Sequence, residues 1–267
     1  MNEPTQLQSV HLRVNTLARS LDFYEGQLGF HVVRQTGKTA ELATSADSRP
    51  LLNLTEDSAA TAPPRDAAGL FHTAVLLPSR AALGHWLQQA AKARVEFDGF
   101  SDHGVSEALY LVDPDGNGLE FYADRPRSAW VFDQGKLQLG TWPLDVNDLV
   151  AAGATHQGAP LDGAFLGHLH LRVSALDVSE SFYQSTLGMS TMATVGNSAR
   201  FLAAGGYHHH LGLNTWGGIR VPQPPGRTGL VEAVFGHAGT KSEIKLIDPD
   251  SIAIRLRPLE LRPEAAA

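Results

Sequence analysis

VHLRVNTLARSLDFYEGQLGF (residues 10–30) and LHLRVSALDVSESFYQSTLGM (residues 169–189) are two copies of one sequence within this chain. At an offset of 159 they carry the same residue at ten of 21 positions. Each copy predicts a strand with alternating apolar residues, then a short helix with Phe-Tyr on its apolar face and Leu-Gly at its end. Such self-similarity indicates a fold built from repeated units.

A second pattern divides each half of the chain again. The sequence Gly-Leu-Phe-His ending at His72 matches Gly-Leu-Val-Glu ending at Glu232, with an offset of 160 residues. The Asp-Pro-Asp sequence at 113–115 matches that at 248–250, with an offset of only 135. The last unit is therefore about 25 residues shorter, and the missing stretch corresponds to residues 79–94, which have an amphipathic helical pattern. The pattern predicts an α+β fold of four βαβββ-like units, the last of which lacks its helix.

The repeats also predict how the chain is divided. Residues 1–128 hold units one and two, residues 164–262 hold units three and four, and residues 129–163 form a connector rich in Gly, Ala and Asp with one short helical stretch. The Asp-Pro-Asp-Gly-Asn-Gly sequence from Asp113 resembles a calcium loop at first sight. It lacks the spacing and the terminal glutamate of such a loop, so a hairpin turn is expected there.

Composition limits the functional classes. The chain has 267 residues, 43% of them hydrophobic, which is enough for one large core or two ordinary ones. A net charge of -7 argues against a nucleic-acid-binding surface. We find no signal-peptide pattern and no long apolar run, so we expect a soluble, cytoplasmic protein without a membrane segment. Because the chain has no cysteine, any metal ligands must come from histidines and carboxylates.

Three residues at equivalent places in the repeats are candidate metal ligands: His72, Glu120 and His168. Two imidazoles and one carboxylate on one face of a metal leave other coordination positions open. Non-haem Fe(II) oxygenases use this arrangement.

The motifs HLRV-x(8)-FY-x(3)-LG, LYLVDPDGNGLEFYADRPRS and GGYHHHLGLNTW together give a specific resemblance over nearly the whole chain. The sequence resembles the vicinal-oxygen-chelate superfamily, which includes glyoxalases, bleomycin resistance proteins and extradiol dioxygenases. Within it, the two-domain catechol 2,3-dioxygenase-like proteins are the most similar. The resemblance implies that βαβββ units pair into two open barrels and that a divalent metal lies inside, held by residues of the first and last strands.

The superfamily's ligand positions are filled differently in the four units. Units two and three carry His72, Glu120 and His168, whereas units one and four carry Ser9, Glu232 and Arg255 at the corresponding positions. Arginine brings a fixed positive charge, so the second set suits a divalent cation poorly. We therefore expect units two and three to face each other around the metal, with units one and four as a metal-free companion. If the units paired within each half instead, neither half would hold all three ligands.

Further residues are implied to act on the substrate. The resemblance gives Tyr110 and His103 the role of contacting a substrate oxygen. A histidine of the His208-His209-His210 triplet would act as acid–base catalyst, a role that suits a pKa near neutrality. Strand alternation would put His208 and His210 on the inward face, so His210 is the first choice and His209 the second. His170 shares the face of His168 and is expected to line the pocket.

The functional hypothesis that results is an extradiol ring-cleaving dioxygenase. It would use Fe(II), or else Mn(II), on a catechol-type or hydroquinone-type diol together with O₂. A metal-dependent lyase or isomerase of the glyoxalase kind is one alternative, although the position of a fourth protein ligand is Gly212. A non-enzymatic small-molecule binder is the other. The resemblance also leaves a homodimer open, and no nucleic-acid or membrane partner is expected.

Overall fold

The structure is a computed structural model that describes residues 5–134 and 136–260. Its strands and helices follow the four predicted units. The first unit comprises β1 (Thr5–Val14), α1 (Leu17–Tyr24), β2 (His31–Thr36), β3 (Thr39–Ala43) and β4 (Leu52–Glu56). The second comprises β5 (Gly69–Leu76), α2 (Arg80–Lys92), β6 (Gly99–Asp102), β7 (Ser106–Val112) and β8 (Gly118–Asp124).

The second half of the chain repeats this order after the connector. The connector contains a two-stranded ribbon, β9 (Phe132–Asp133) and β10 (Lys136–Leu137), and the predicted short helix, α3 (Val146–Gly153). The third unit comprises β11 (Phe165–Arg172), α4 (Leu176–Leu187), β12 (Ser190–Val195), β13 (Ala199–Ala203) and β14 (Leu211–Asn214). The fourth comprises β15 (Gly229–His237), β16 (Ile244–Ile247) and β17 (Ala253–Pro258).

The fourth unit has lost more than its helix. Its β15 leads directly into β16, and β16 ends at the Asp-Pro-Asp turn as β7 does in the second unit. Within the described residues it therefore lacks both a counterpart of α2 and a counterpart of β6. The predicted loss of the helix is correct, and the shortening of about 25 residues covers the strand that follows it as well.

Each of the two large sheets takes one unit from each half of the chain. The eight-stranded sheet has the order β12-β13-β14-β11-β5-β8-β7-β6, so it combines units two and three. The seven-stranded sheet has the order β16-β17-β15-β1-β4-β3-β2, so it combines units one and four. The predicted exchange of units between the halves is confirmed, and pairing within each half is excluded. The division at 1–128, 129–163 and 164–262 stays a prediction about the chain, and it does not coincide with the two sheets.

Buried tyrosines join the repeated units to one another. The Tyr24 hydroxyl of α1 donates to Asp113 Oδ2 at 3.0 Å, and the Tyr183 hydroxyl of α4 donates to Asp248 Oδ2 at 2.8 Å. Each aspartate also accepts two backbone N–H bonds through Oδ1, which closes the predicted hairpin turn. Burial raises the pKa of both Asp113 and Asp248. In each half of the chain, the tyrosine of the Phe-Tyr motif therefore bonds the first aspartate of the Asp-Pro-Asp motif.

The helices pack on the outer faces of the sheets. Ser79 caps α2 by accepting from the Ala82 N–H at 3.1 Å, which satisfies one of the free donors at the helix start. Trp86 of α2 stacks on Phe121 of β8, with ring centroids 3.7 Å apart and planes at 7°. This contact covers one face of the sheet and leaves Glu120, the residue before Phe121, on the opposite face. No helix among the described residues has the length and apolar character needed to cross a bilayer.

Candidate metal centre

His72, Glu120 and His168 converge at the middle of the eight-stranded sheet. His72 lies on β5, Glu120 on β8 and His168 on β11, and these three strands are neighbours. Glu120 Oε2 is 3.0 Å from the Nε2 atom of each histidine, and the two Nε2 atoms are 3.3 Å apart. The three side chains are buried, with 2% of Glu120 and 1% of His168 exposed. In the part of the chain that the structure describes, this is the one cluster of three or more such side chains with metal-binding spacing.

Strand register explains the convergence. β5 runs parallel to β8 with Ala74 beside Glu120, so a methyl group leaves room for the carboxylate. β5 runs antiparallel to β11 with His170 opposite His72. The β5–β11 register shifts between Leu166 and His168, at Gly167. A β-bulge of this kind re-aims the residues beside it.

The charges of this cluster favour one cation. Burial lowers the pKa of His168 to about 4, even though Glu120 acts in the opposite direction. Its imidazole is therefore neutral at neutral pH, as a metal ligand must be. Burial alone would raise the pKa of Glu120, but the neighbouring His168 and His72 hold it well below the usual value. Glu120 is therefore an ionised carboxylate that lies between the imidazole nitrogens of His72 and His168.

Among the residues described, the seven-stranded sheet of units one and four, the companion barrel, holds no equivalent metal-binding cluster. There Arg255 Nη2 donates to Glu232 Oε1 at 2.8 Å and Nη1 to Glu243 Oε1 at 3.0 Å. His11 Nε2 bonds the Thr55 hydroxyl at 2.8 Å instead of a metal-binding partner. A guanidinium thus supplies the positive charge inside the companion barrel.

Tyr110 and His103 lie beside the cluster, as expected. Tyr110 is the cross-strand neighbour of Glu120, and its ring centroid is 5.7 Å from that of His72. His103 Nε2 is 2.7 Å from the Tyr110 hydroxyl, and His103 Nδ1 is 2.6 Å from the Gly140 carbonyl oxygen. Because a carbonyl only accepts, Nδ1 carries the proton, and a neutral His103 accepts the tyrosine O–H at Nε2. Burial and the charge of Glu120 raise the pKa of Tyr110 well above its ordinary value.

The histidine triplet is arranged differently from the prediction. Residues 207–210 precede β14, which begins at Leu211, so regular strand alternation does not apply to them. His209 lines the same cavity as His72 and Glu120, and its ring centroid is 4.1 Å from that of His168. His210 lines a second, smaller cavity of about 250 Å³ with Asp124 and Tyr207. The structure therefore brings His209, the second choice for the acid–base catalyst, next to the candidate metal ligands. It places His210, the first choice, at another cavity.

A chain of hydrogen bonds orients His209. The Asp124 carboxylate is 2.9 Å from His208 Nε2 and also accepts from the Tyr207 hydroxyl at 3.1 Å. His208 Nδ1 is 2.7 Å from His209 Nδ1. If Nε2 of a neutral His208 donates to Asp124, its Nδ1 accepts from His209 Nδ1–H, which leaves His209 Nε2 unprotonated. Sequence analysis missed Asp124, although strand alternation puts it on the same face as Glu120, four residues earlier on β8.

His170 is fixed by a second chain of hydrogen bonds. The Trp216 backbone N–H donates to Asn214 Oδ1 at 3.0 Å, which leaves the Asn214 amide N–H to donate to His170 Nε2 at 3.0 Å. A Cβ added at Gly212 would lie 2.7 Å from the His170 ring, so the position expected for a fourth ligand is filled by that ring. His170 lines the cavity, as expected. Burial lowers its pKa well below the ordinary value.

The cluster opens into a cavity of about 560 Å³. Its wall comes from β5, β6, β7, β8, the third unit and, unexpectedly, residues 139–141 of the connector. The Gly140 carbonyl that orients His103 belongs to this connector segment. No repeat motif marks residues 139–141, so sequence comparison between the units could not have found them.

The chain belongs to the Glyoxalase/Bleomycin resistance protein/Dioxygenase superfamily, whose family model matches residues 6–121. A catechol-2,3-dioxygenase of Bacillus subtilis (strain 168) is 43% identical over 229 residues, which is 84% of this chain and 80% of that protein. Two solved structures share the fold at low sequence identity. A Bacillus subtilis protein aligns with a TM-score of 0.61 and 13% identity over 96% of this chain and 86% of that one. Glyoxalase I from Zea mays aligns with a TM-score of 0.56 and 16% identity over 94% and 92%.

Proposed function

We propose that this protein is an extradiol-type dioxygenase that opens the ring of a catechol-type or hydroquinone-type diol with O₂. A single metal ion, Fe(II) or alternatively Mn(II), would be held by His72, Glu120 and His168. The observation that carries the proposal is the buried convergence of these three ligand atoms at 3.0–3.3 Å. The identity of 43% to a catechol-2,3-dioxygenase supports the diol and O₂ as substrates.

The three ligand atoms are close enough together for one metal ion to contact all of them. Metal bonds to imidazole nitrogen and carboxylate oxygen are about 2.1 Å long, so two ligand atoms of one ion lie at most about 4.2 Å apart. Two of the three separations are 3.0 Å and the third is 3.3 Å. A set of two histidines and one carboxylate would leave other coordination positions open for substrate, as in non-haem Fe(II) oxygenases.

The overall reaction balances without an added reductant. One ring C–C bond next to the diol breaks, both atoms of O₂ enter the product, and the ring supplies the electrons that O₂ takes up. When bound, the metal holds the diol and O₂ next to each other and allows electron density to pass between them. The chain's own residues have to bind the diol in one orientation and move its protons.

We assign the acid–base role to His209 rather than to His210. His209 lies in the cavity against the His168 ring, and the Asp124–His208 chain would leave its Nε2 atom free to accept a proton. Burial lowers the pKa of His209 well below its ordinary value, so the imidazole is neutral before it takes a proton from the diol. Asp124 and His208 act through His209 and are positioning residues.

Tyr110 and His103 would orient the diol. The Tyr110 hydroxyl is held by His103 at 2.7 Å and lies next to Glu120, close to where a substrate hydroxyl would lie. The raised pKa keeps Tyr110 protonated, and because its one proton goes to His103, its oxygen is left to accept a hydrogen bond from the diol. His103 in turn is fixed by the Gly140 carbonyl.

The structure supports the two alternative functions, a lyase or a non-enzymatic binder, less well than it supports a dioxygenase. A lyase of the glyoxalase kind favours a fourth protein ligand, and its expected position is Gly212, where the His170 ring leaves no room for a side chain. A binder without catalysis would have no need for a buried carboxylate between two imidazoles, whose burial carries a cost in free energy. The predicted cytoplasmic location and homodimer stay predictions from sequence. Size-exclusion chromatography with light scattering tests the second.

The test is anaerobic reconstitution with Fe(II), followed by catechol and air. We expect uptake of O₂ and a yellow ring-opened product. Parallel samples with Mn(II) and Zn(II) identify the active metal, and Glu120→Ala serves as the metal-site control. An iron-loaded protein that consumes no O₂ with either catechol or hydroquinone would refute the proposed function.

A further inference from the structure

The cavity is much larger than the ring that the proposed reaction requires. A cavity of about 150 Å³ in a protein core is enough to hold a benzene ring. The cavity beside Glu120 has a volume of about 560 Å³. After the diol ring is placed at the metal cluster, a large part of the cavity remains for groups attached to that ring.

The outer part of this cavity is apolar. Three large hydrophobic residues line it and also reach the surface: Val112 is 48% exposed, Val195 46% and Trp216 37%. They come from β7, β12 and the segment after β14, so both units of the eight-stranded sheet contribute to this surface. Exposed apolar side chains grouped at the mouth of a cavity are typical of a binding surface for an apolar group.

The charged residues of the cavity are all acidic. Asp98 and Glu120 are the only Asp, Glu, Lys or Arg residues among the described residues that line it. A carboxylate on the substrate would lose its water against the apolar wall and would meet no arginine or lysine there. Burying a charge without a partner is costly, and the net charge of -7 adds repulsion.

We infer that the substrate is a diol with an uncharged apolar substituent, an alkyl or aryl group, that lies between Val112, Val195 and Trp216. Diols that carry a carboxylate on the ring are excluded by the same surface. The inference rests on the proposed function because the diol end is placed by the metal cluster. It concerns the opposite end of the substrate, which no catalytic residue contacts.

The test compares two substrates of nearly equal shape. 4-Isopropylcatechol and 3,4-dihydroxybenzoate place a branched apolar group and a planar carboxylate of similar size at the same ring position, and catechol is the reference. Calorimetry with the Fe(II)-loaded protein under argon measures dissociation constants without turnover, and kcat/KM is then measured in air. We expect 4-isopropylcatechol to bind about tenfold more tightly than catechol, and 3,4-dihydroxybenzoate at least tenfold more weakly.

A charge-introducing variant tests the surface directly. Val195→Arg adds a cation at the mouth, and we expect it to lower the preference for isopropyl over carboxylate at least tenfold. Val178→Arg is the matched control, since Val178 is 55% exposed on α4 and lies outside the cavity lining. We expect it to leave that preference unchanged.

The outcomes separate the two proposals. Wild-type dissociation constants for the two substituted diols within threefold of each other would overturn the inference, even if catechol is cleaved. A Val195→Arg preference equal to that of Val178→Arg would also overturn it. Tight, selective binding of 4-isopropylcatechol without ring opening would refute the proposed function and leave the apolar binding surface standing.

Discussion

Among the residues of units one and four that correspond to the proposed metal ligands, Glu232 is a carboxylate and supplies a matched control. Glu120→Ala removes the carboxylate from the cluster, and we expect metal affinity to fall at least about 100-fold. Glu232→Ala removes the carboxylate at the position that corresponds to His72, where Arg255 takes the place of a metal. We expect that variant to retain its metal. Metal content after dialysis against a weak chelator measures both, and equal loss from the two variants would contradict the ligand assignment.

His209 and His210 are adjacent in sequence and line different cavities. We expect His209→Ala to lower kcat by a factor of about 10²–10⁴, the range typical of a lost acid–base group, with anaerobic diol binding retained. His210→Ala should change kcat less than about threefold. Circular dichroism confirms that both variants are folded. A larger loss in His210→Ala than in His209→Ala would restore the assignment made from sequence.

These residues show what sequence can predict at this scale. His72, Glu120 and His168 could be predicted as candidate ligands because they fill the superfamily's ligand positions in units two and three. His209 could not, because residues 207–210 precede the regular strand, and the face that a side chain takes there depends on the bend of the chain. Asp124 lies two residues after Tyr122 on the same face of β8. Only its contact with His208 indicates its role.

At the level of helices, α2 and α3 touch through glycine. A Cβ on Gly84 would lie 2.1 Å from the Leu149 carbonyl oxygen, and one on Gly153 would lie 2.3 Å from the Gly84 carbonyl carbon. Alanine usually stabilises a helix by about 0.5–1 kcal/mol relative to glycine. Overpacking typically costs about 1–3 kcal/mol, so the clash should dominate.

We therefore expect Gly84→Ala to lower the Tm by several degrees in thermal unfolding followed by circular dichroism. Gly99→Ala is the control, since a Cβ there meets nothing within 4 Å. An unchanged or higher Tm for Gly84→Ala would show that the two helices can move apart at no cost. It would also mean that the contact does not hold the connector in place.

Elements were predictable from sequence to different degrees. The order of strands and helices in the first three units follows from their periodicity and from the Phe-Tyr and Asp-Pro-Asp motifs. The missing strand in the fourth unit was not predicted, because a length difference of about 25 residues says how much is absent and leaves open which elements it contained. The contribution of residues 139–141 to the cavity depends on how the connector folds back, which local sequence does not specify.

In the whole molecule, the two tyrosine–aspartate contacts link the sheets. Tyr24 belongs to the seven-stranded sheet's first unit and Asp113 to a unit of the eight-stranded sheet, and Tyr183 and Asp248 repeat this link in the opposite direction. Tyr24→Phe and Tyr183→Phe each remove one buried hydrogen bond and should lower the free energy of unfolding by about 1–3 kcal/mol.

Because the two links involve different units, we expect the losses to add in the double variant. Urea unfolding followed by fluorescence measures them. Ser181→Ala removes an exposed hydroxyl on α4 and should have little effect. A double variant no less stable than either single variant would show that one link suffices to hold the sheets together.

The exchange of units between the two halves also sets an order of events during synthesis. A nascent chain contains His72 and Glu120 before His168, which comes 48 residues after Glu120, has left the ribosome. With the proposed ligands, a divalent cation would find only two of its three donors until β11 has docked against β5. Loading of the ion would thereby be postponed until the barrel around it has closed.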